Sequence, residues 1–235
     1  MAKRGGTKHL KRIAAPNVIP LSTKKQSTWL IRPIAGSHSL HAAMPLAVLL
    51  RDVLHYAKTM SEVKKILSQR LVLVDGKVRT EPKFPVGFMD LLELPKAGKT
   101  YRIIVDNHAR LIPKEISKEQ KISKLAKIVK KYTIAGNKIA VTLHDGKTLQ
   151  ADNTVKVGDS IRITLPKLSI QQVIKLVPGA NCMVREGKHA GMLAILEEII
   201  HRKEGKAAEA RLKHGKEEFV TVAKYLFAVD EGFKI

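Results

Sequence analysis

Apolar residues recur at helical spacing in one early stretch of the chain. Leu46, Leu49, Leu50, Val53, Leu54 and Ala57 fall on one face, and Pro45 suits the first turn. Ser61 is the expected N-cap of a second, shorter helix with Val63, Ile66 and Leu67 inward. Residues 71–74 are β-prone and lead into Asp75-Gly76, a hairpin turn signal, after which 78–80 return. A further strand over 89–94 would close a compact unit of two helices on a small sheet.

Beyond it the period changes. Residues 101–105 read as a strand. Residues 110–131 hold eight basic and two acidic side chains. There Ile122, Leu125, Ile128 and Val129 can line a helix, although a strand is also open for the end of the segment. Strands are expected at 139–143, at 148–149 after the turn Asp145-Gly146, and at 160–165 after Lys156-Val157-Gly158-Asp159. The middle third is therefore read as all-β apart from the basic segment. From Ile174 onward, short strands near 183–184, 192–195, 218–222 and 225–229 alternate with Gly, Lys and Glu turns, a spacing that suits a small barrel. No long-period repeat is visible.

Residues 1–41 have no clear period. They carry eight basic residues and no acid, and Pro16, Pro20 and Pro33 break any long helix. Such a segment is expected to be an arm that orders on a polyanion, with residues 1 to about 20 disordered in the free protein. The alternative is a solubilising tail. Trp29, Leu30 and Ile31 argue against that, because a tail has no use for a buried anchor.

Charge sharpens this picture. The chain of 235 residues has 43 Lys or Arg against 21 Asp or Glu, a formal net charge of +22. A compact chain this positive repels itself and attracts polyanions, nucleic acid first and an anionic membrane second. The longest apolar run, 42–50, is broken by Pro45 and falls short of the roughly 20 residues a spanning helix needs. The first residues lack the apolar core of a secretory signal. Hydrophobic content of 44 % is enough to build cores, while aromatic content of 4 % argues against base stacking as the main mode of binding. Phosphate contact through Lys and Arg is the expected mode.

Motifs of chemistry do not assemble. A P-loop needs Gly, four residues, then Gly-Lys-Thr/Ser. Gly146-Lys147-Thr148 has Val141 in the first position, and Gly98-Lys99-Thr100 has Glu93. The nine histidines do not fall at helical metal spacing with acidic partners, and no Gly-x-Ser-x-Gly elbow is present. His9, His38, His41 and His55 lie in basic or interfacial surroundings. The single Cys182 excludes an internal disulfide and a cysteine-cluster zinc site. No metal, cofactor, small-molecule substrate or membrane partner is expected, although a triad made in space would leave no local motif.

Two stretches carry resemblances. Residues 184–198 place Gly187-Lys188-His189 and then Gly191 before an apolar strand, which resembles the KOW motif of SH3-like barrels; an ordinary β-hairpin is the alternative. Pro45-Leu46, Leu50-Arg51-Asp52, Glu62-Val63-Lys64-Lys65-Ile66-Leu67 and Val74-Asp75-Gly76-Lys77-Val78 resemble the alpha-L RNA-binding fold; a small α/β domain with a solvated basic face is the alternative. Around them stand the arm Gly5-Gly6-Thr7-Lys8-His9-Leu10-Lys11-Arg12, then Trp29, Arg32-Pro33 and Gly36-Ser37-His38-Ser39. Phe84-Pro85-Val86-Gly87, Met89-Asp90 and His144-Asp145-Gly146-Lys147 complete the order. Over essentially its whole length the chain resembles the family of small-subunit ribosomal protein four of archaeal and eukaryotic type, and its compact length looks archaeal.

The expected fold is α+β, multidomain and mostly β. A basic N-terminal arm takes 1–41, an alpha-L RNA-binding domain 42–94, a central β domain 95–172 and an SH3-like barrel with the KOW motif 173–235. The resemblance implies a non-enzymatic, structural constituent of the small ribosomal subunit, cytoplasmic in the ribosome, with small-subunit ribosomal RNA and neighbouring ribosomal proteins as partners. The candidate RNA-binding residues are Lys3, Arg4, Lys8, His9, Lys11, Arg12, Lys24, Lys25, Arg32 and His38 in the arm. In the alpha-L unit they are Arg51, Lys58, Lys64, Lys65, Arg70, Lys77 and Arg79. In the basic segment they are Lys121, Lys124, Lys127, Lys130 and Lys131, and in the KOW turn Lys188 and His189. The rival readings are an RNA-binding translation or transcription accessory factor and an RNA-modifying enzyme with an alpha-L module. The second would need a sizeable catalytic domain; the acid-free arm argues against the first, because it suits permanent burial in RNA.

Overall fold

A computed structural model describes residues 8–117, 119–202, 205, 207–215, 217–230 and 233. The chain divides into two compact units, one made of residues 1–103 and 110–115, the other of 104–109 and 116–235.

In the first unit the arm forms a two-residue ribbon, β1 (Leu10–Lys11) against β2 (Trp29–Leu30). After β3 (Ala43–Pro45), helix α1 (Leu46–Val48) runs on as a π-helical turn over Leu49–Val53, in which Leu54 N reaches Leu49 O. Pro45 caps this helix, as its fixed φ allows. Leu46, Leu49 and Leu50 are fully buried, each contributing about 1.5–3 kcal/mol by removal from water. Helix α2 (Met60–Ser68) has its cap at Thr59, two residues before the expected one. Thr59 caps it because Glu62 sits at the third helical position and closes a reciprocal box; three residues after Ser61 comes Lys64, which cannot.

The hairpin β4 (Leu73–Val74) and β5 (Lys77–Val78) turns at Asp75, whose φ of 51° and accepted bond from Leu91 N fix the corner. Strands β6 (Pro85–Gly87), β7 (Leu91–Leu94), β8 (Lys99–Val105) and β9 (Leu111–Glu115) follow. β6 pairs with β3, and the main sheet runs β5-β4-β7-β8-β9. Two expectations for the arm need correction. Its described part buries Ala15, Ile19 and Leu30, and Leu111 N bonds to Val18 O, so it packs on its own chain. Trp29, expected as a buried anchor, is 57 % exposed, because alternation along β2 turns Leu30 inward instead.

The second unit contains two five-stranded antiparallel sheets. The first has β10 (Ser123–Ile134), β11 (Lys138–Leu143), β12 (Thr148–Gln150), β13 (Ser160–Thr164) and β14 (Ile170–Ile174), ordered β12-β11-β10-β13-β14. The end of the basic segment is thus strand, not helix. β10 pairs with β13 through its first half and with β11 through its second, with an irregularity between Ile128 and Lys130. The other sheet has β15 (Asn181–Val184), β16 (Leu193–Ile200), β17 (Glu209–His214), β18 (Glu217–Val222) and β19 (Leu226–Ala228), ordered β18-β17-β16-β15-β19. β16 is likewise irregular, between Leu196 and Glu198. Each sheet has its own core: Ala126, Ile128, Val141 and Ile161 in the first, Val184, Leu196, Leu212 and Leu226 in the second. Gly191 sits at φ +79° where a Cβ would lie 2.7 Å from the Asp106 carbonyl carbon, so the turn before β16 admits only glycine without strain.

Candidate nucleic-acid interface

The cations divide into those the fold uses and those it leaves in water. On α2, Val63 and Leu67 face the core, so Lys64 and Lys65 stand exposed beside Glu62. Lys58, Arg70 and Lys77 are exposed on the flanking turns and the hairpin, and Arg70 takes φ 58° as the helix ends. Arg79 is half-buried, with its guanidinium carbon 4.3 Å from the Phe84 ring centroid. Arg51 donates twice to Asp52, and that bond holds its guanidinium pKa above the ordinary value. The helix pair and hairpin therefore gather Lys58, Lys64, Lys65, Arg70 and Lys77 on solvent-facing positions of one small unit. A buried unpaired charge would be costly, so these positions are where cations can be carried cheaply.

The arm adds Lys8, His9, Lys11, Lys24 and Lys25, all exposed, and Arg32, half-buried. Lys3 and Arg4 lie outside the described residues. In the second unit Lys121, Lys130 and Lys188 are exposed. His189 is half-buried and stacked on Phe219, ring centroids 4.2 Å apart.

Other candidates have their charged or polar groups engaged by the fold itself, which counts against them as RNA contacts. Arg12 is 5 % exposed, and its Nε donates to Thr23 O at 2.8 Å. His38 is buried with Nε2 2.9 Å from Asp90 Oδ2, which also accepts from Gly87 N; a Cβ on residue 87 would meet the imidazole at 2.5 Å. Lys124 is fully buried against Asp145. Lys127 Nζ donates to Lys224 O and Leu226 O, and burial followed by the charge of Arg185 lowers its pKa to about 8. Lys131 Nζ donates to Asn153 O and Val155 O. Each partner lies more than ten residues away in sequence, so local charge could not separate these five from the exposed set.

One surface feature escaped the sequence reading. The exposed indole of Trp29 stands beside the His9 ring, centroids 5.5 Å apart, and opposite Lys11 across the ribbon. The strict alternation of a two-residue strand was the available signal. Among the described residues no helix is long and apolar enough to cross a membrane.

Comparison with known proteins fits this layout. The profile of ribosomal family S4e matches residues 97–170, that of the S4 domain residues 44–92, and that of the RS4NT domain residues 4–41. The small ribosomal subunit protein eS4 of Methanosphaera stadtmanae is 38 % identical over 231 residues, covering 98 % of this chain and 95 % of the relative. The protein of the same name from Pyrobaculum aerophilum is 39 % identical over 227 residues, covering 94 % of each. The crystal structure of the 30S ribosomal protein S4e from Thermoplasma acidophilum is similar with a TM-score of 0.70 at 32 % identity, covering 81 % of this chain and 96 % of that one.

Proposed function

The chain belongs to the S4e family of ribosomal proteins, and from that premise we propose that it is a structural constituent of the small ribosomal subunit that binds and stabilises the subunit's RNA. Family membership over nearly the full length carries the reading. The sorting of the candidate cations supports it: exposed ones are found on α2 and its flanking turns, the hairpin, the arm, β10 and the turn before it, and the turn before β16.

Binding would rest on Lys8, Lys11, Lys24, Lys25, Lys58, Lys64, Lys65, Arg70, Lys77, Lys121, Lys130 and Lys188, with His9, Arg32, Arg51, Arg79 and His189 at their margins and Lys3 and Arg4 continuing the arm. Phosphates and 2′-hydroxyls are what an A-form helix offers to such side chains, so recognition is of RNA shape. Each phosphate neutralised releases counterions, and the log–log salt slope is about −0.7 to −0.9 per phosphate. Neighbouring ribosomal proteins would complete the surroundings in a cytoplasmic ribosome. We assign the protein no reaction and no cofactor. We read the organisation as four parts, 1–41, 42–94, 95–172 and 173–235, the last an SH3-like barrel whose KOW turn is Gly187-Lys188-His189.

Sedimentation of the native protein in a lysate tests the reading. The expected result is co-migration with small subunits, abolished by ribonuclease treatment. Migration with polymerase, or free, overturns it.

A further inference from the structure

The fold exposes one large aromatic where a core would have been expected to claim it. Trp29 is 57 % exposed and stands on a ribbon braced from inside. Leu30, its neighbour in β2, is 6 % exposed and anchors the ribbon. Arg12 N donates to Thr28 O at 2.9 Å, and the buried Arg12 side chain bonds to Thr23 O and Gln26 Oε1, which holds the loop that delivers Trp29. Arg12 is thus a positioning residue for the indole.

The immediate neighbours are a ring and a cation. His9 packs against the indole at a tilt of 52°, with centroids 5.5 Å apart. Lys11 is the direct cross-strand partner of Trp29, and side chains so paired stand side by side on one face of a ribbon. Lys11 is exposed, as is His9. Residues 1–41 hold no acid that could compete for these cations or repel a phosphate.

We propose that Trp29, flanked by Lys11 and His9, is a stacking site for one unpaired nucleobase of the ribosomal RNA. An indole offers a wide π surface to any base, while an adjacent ammonium can take the phosphate of the same nucleotide. Paired bases cannot use it, because their faces are already stacked within the helix. The site therefore selects a bulge, a loop or a single-stranded end. Charge decides the class of partner: a protein pocket for Trp29 would have to bring acids or tolerate the cations around it, whereas RNA meets both the ring and the charge. This inference rests on the RNA-binding reading above and adds to phosphate contact one base-specific geometry.

Trp29 is the only tryptophan, so the fluorescence of the full chain reports on this site alone. The full chain is titrated with purified small-subunit ribosomal RNA and, in parallel, with a fully paired RNA duplex. The expected result is quenching by the ribosomal RNA and none by the duplex. Trp29→Leu should bind the ribosomal RNA about tenfold more weakly, with an unchanged salt slope because every phosphate-binding cation is still in place. Trp29→Phe, which keeps a ring, should recover part of the affinity. Wild-type protein that binds the ribosomal RNA with unquenched fluorescence, and Trp29→Leu that binds it equally well, overturn the site and leave the RNA reading standing. Wild-type protein that does not bind the RNA overturns both. An indole unquenched on RNA but shielded from acrylamide in assembled subunits is a protein contact, and overturns the site as well.

Discussion

Lys124 Nζ lies 2.9 Å from Asp145 Oδ2, with both side chains fully buried. Burial alone would raise the Asp145 carboxyl pKa, but Lys124, and Lys147 at 3.0 Å, hold it well below the usual carboxylate range. Its contribution to stability is therefore present above the unfolded-state pKa of about 3.9 and lost only as pH falls through the lower folded value. Asp145→Asn takes the counter-charge from a buried ammonium. It is expected to cost about 3–5 kcal/mol in urea denaturation at pH 7. The pair Lys124→Met with Asp145→Asn should cost less than Asp145→Asn alone. A double variant as unstable as the sum of the singles would sink this account.

Lys127 makes the opposite prediction about pH. Its folded pKa, lowered to about 8, lies below the ordinary 10.5, so the unfolded chain binds more protons between those values. Its charge penalises the fold fully below pH 8 and is relieved as pH rises through 8. Burial pushes the Cys182 thiol up to about 12 from its ordinary 9, and that destabilises the fold with rising pH above 9. The clean window is therefore pH 7.5 to 9. Urea midpoints should rise across it in the wild type relative to Lys127→Met, and parallel curves would refute the assignment.

Lys64 and Lys65 lie exposed on α2, whose Val63 and Leu67 are buried. Replacing both by Gln, a good helix former, should move stability by no more than about 0.5 kcal/mol. The salt slope of RNA binding should become shallower by about 0.7–0.9 for each phosphate no longer neutralised. Unchanged binding would make this a solvated face; a large fall in Tm would mean that the patch supports the fold.

Gly191→Ala forces a Cβ to within 2.7 Å of the Asp106 carbonyl carbon at a φ of +79°. The expected cost is about 1–3 kcal/mol, read as a lower Tm, because both the clash and the left-handed backbone must be relieved. An unaltered Tm would show that the turn can open freely.

The fold was legible where one period ran uninterrupted. Leu46, Leu49 and Leu50 announced their helix because all three face one core. β10 was ambiguous for a physical reason: its irregularity after Ile128 breaks the alternation, and the buried Lys124 inverts the polarity expected inside a strand. β14 was missed because its centre, Gln171, Gln172 and Val173, is exposed and only Ile170 and Ile174 at its ends pack inward, too few apolar positions to show an alternation. At the candidate interface the total charge was plain, but the division of labour was not. Whether Lys130 meets solvent while Lys124 is buried and Lys131 is tied to backbone carbonyls depends on Asp145, Asn153 and Val155, which only the folded sheet brings near.

The path of the backbone between the two compact units has a consequence for how the protein is made. The chain leaves the first unit after Ile103, re-enters at Arg110 and leaves again after Glu115. The edge strand β9, Leu111–Glu115, therefore emerges from the synthesising machinery after a stretch that belongs elsewhere. A nascent chain halted at residue 103 would present β8 as an open edge, the kind of surface on which strands of other chains add. Completion of the first unit is thus tied to the synthesis of six residues it does not own, and no single cut in the chain yields both units whole.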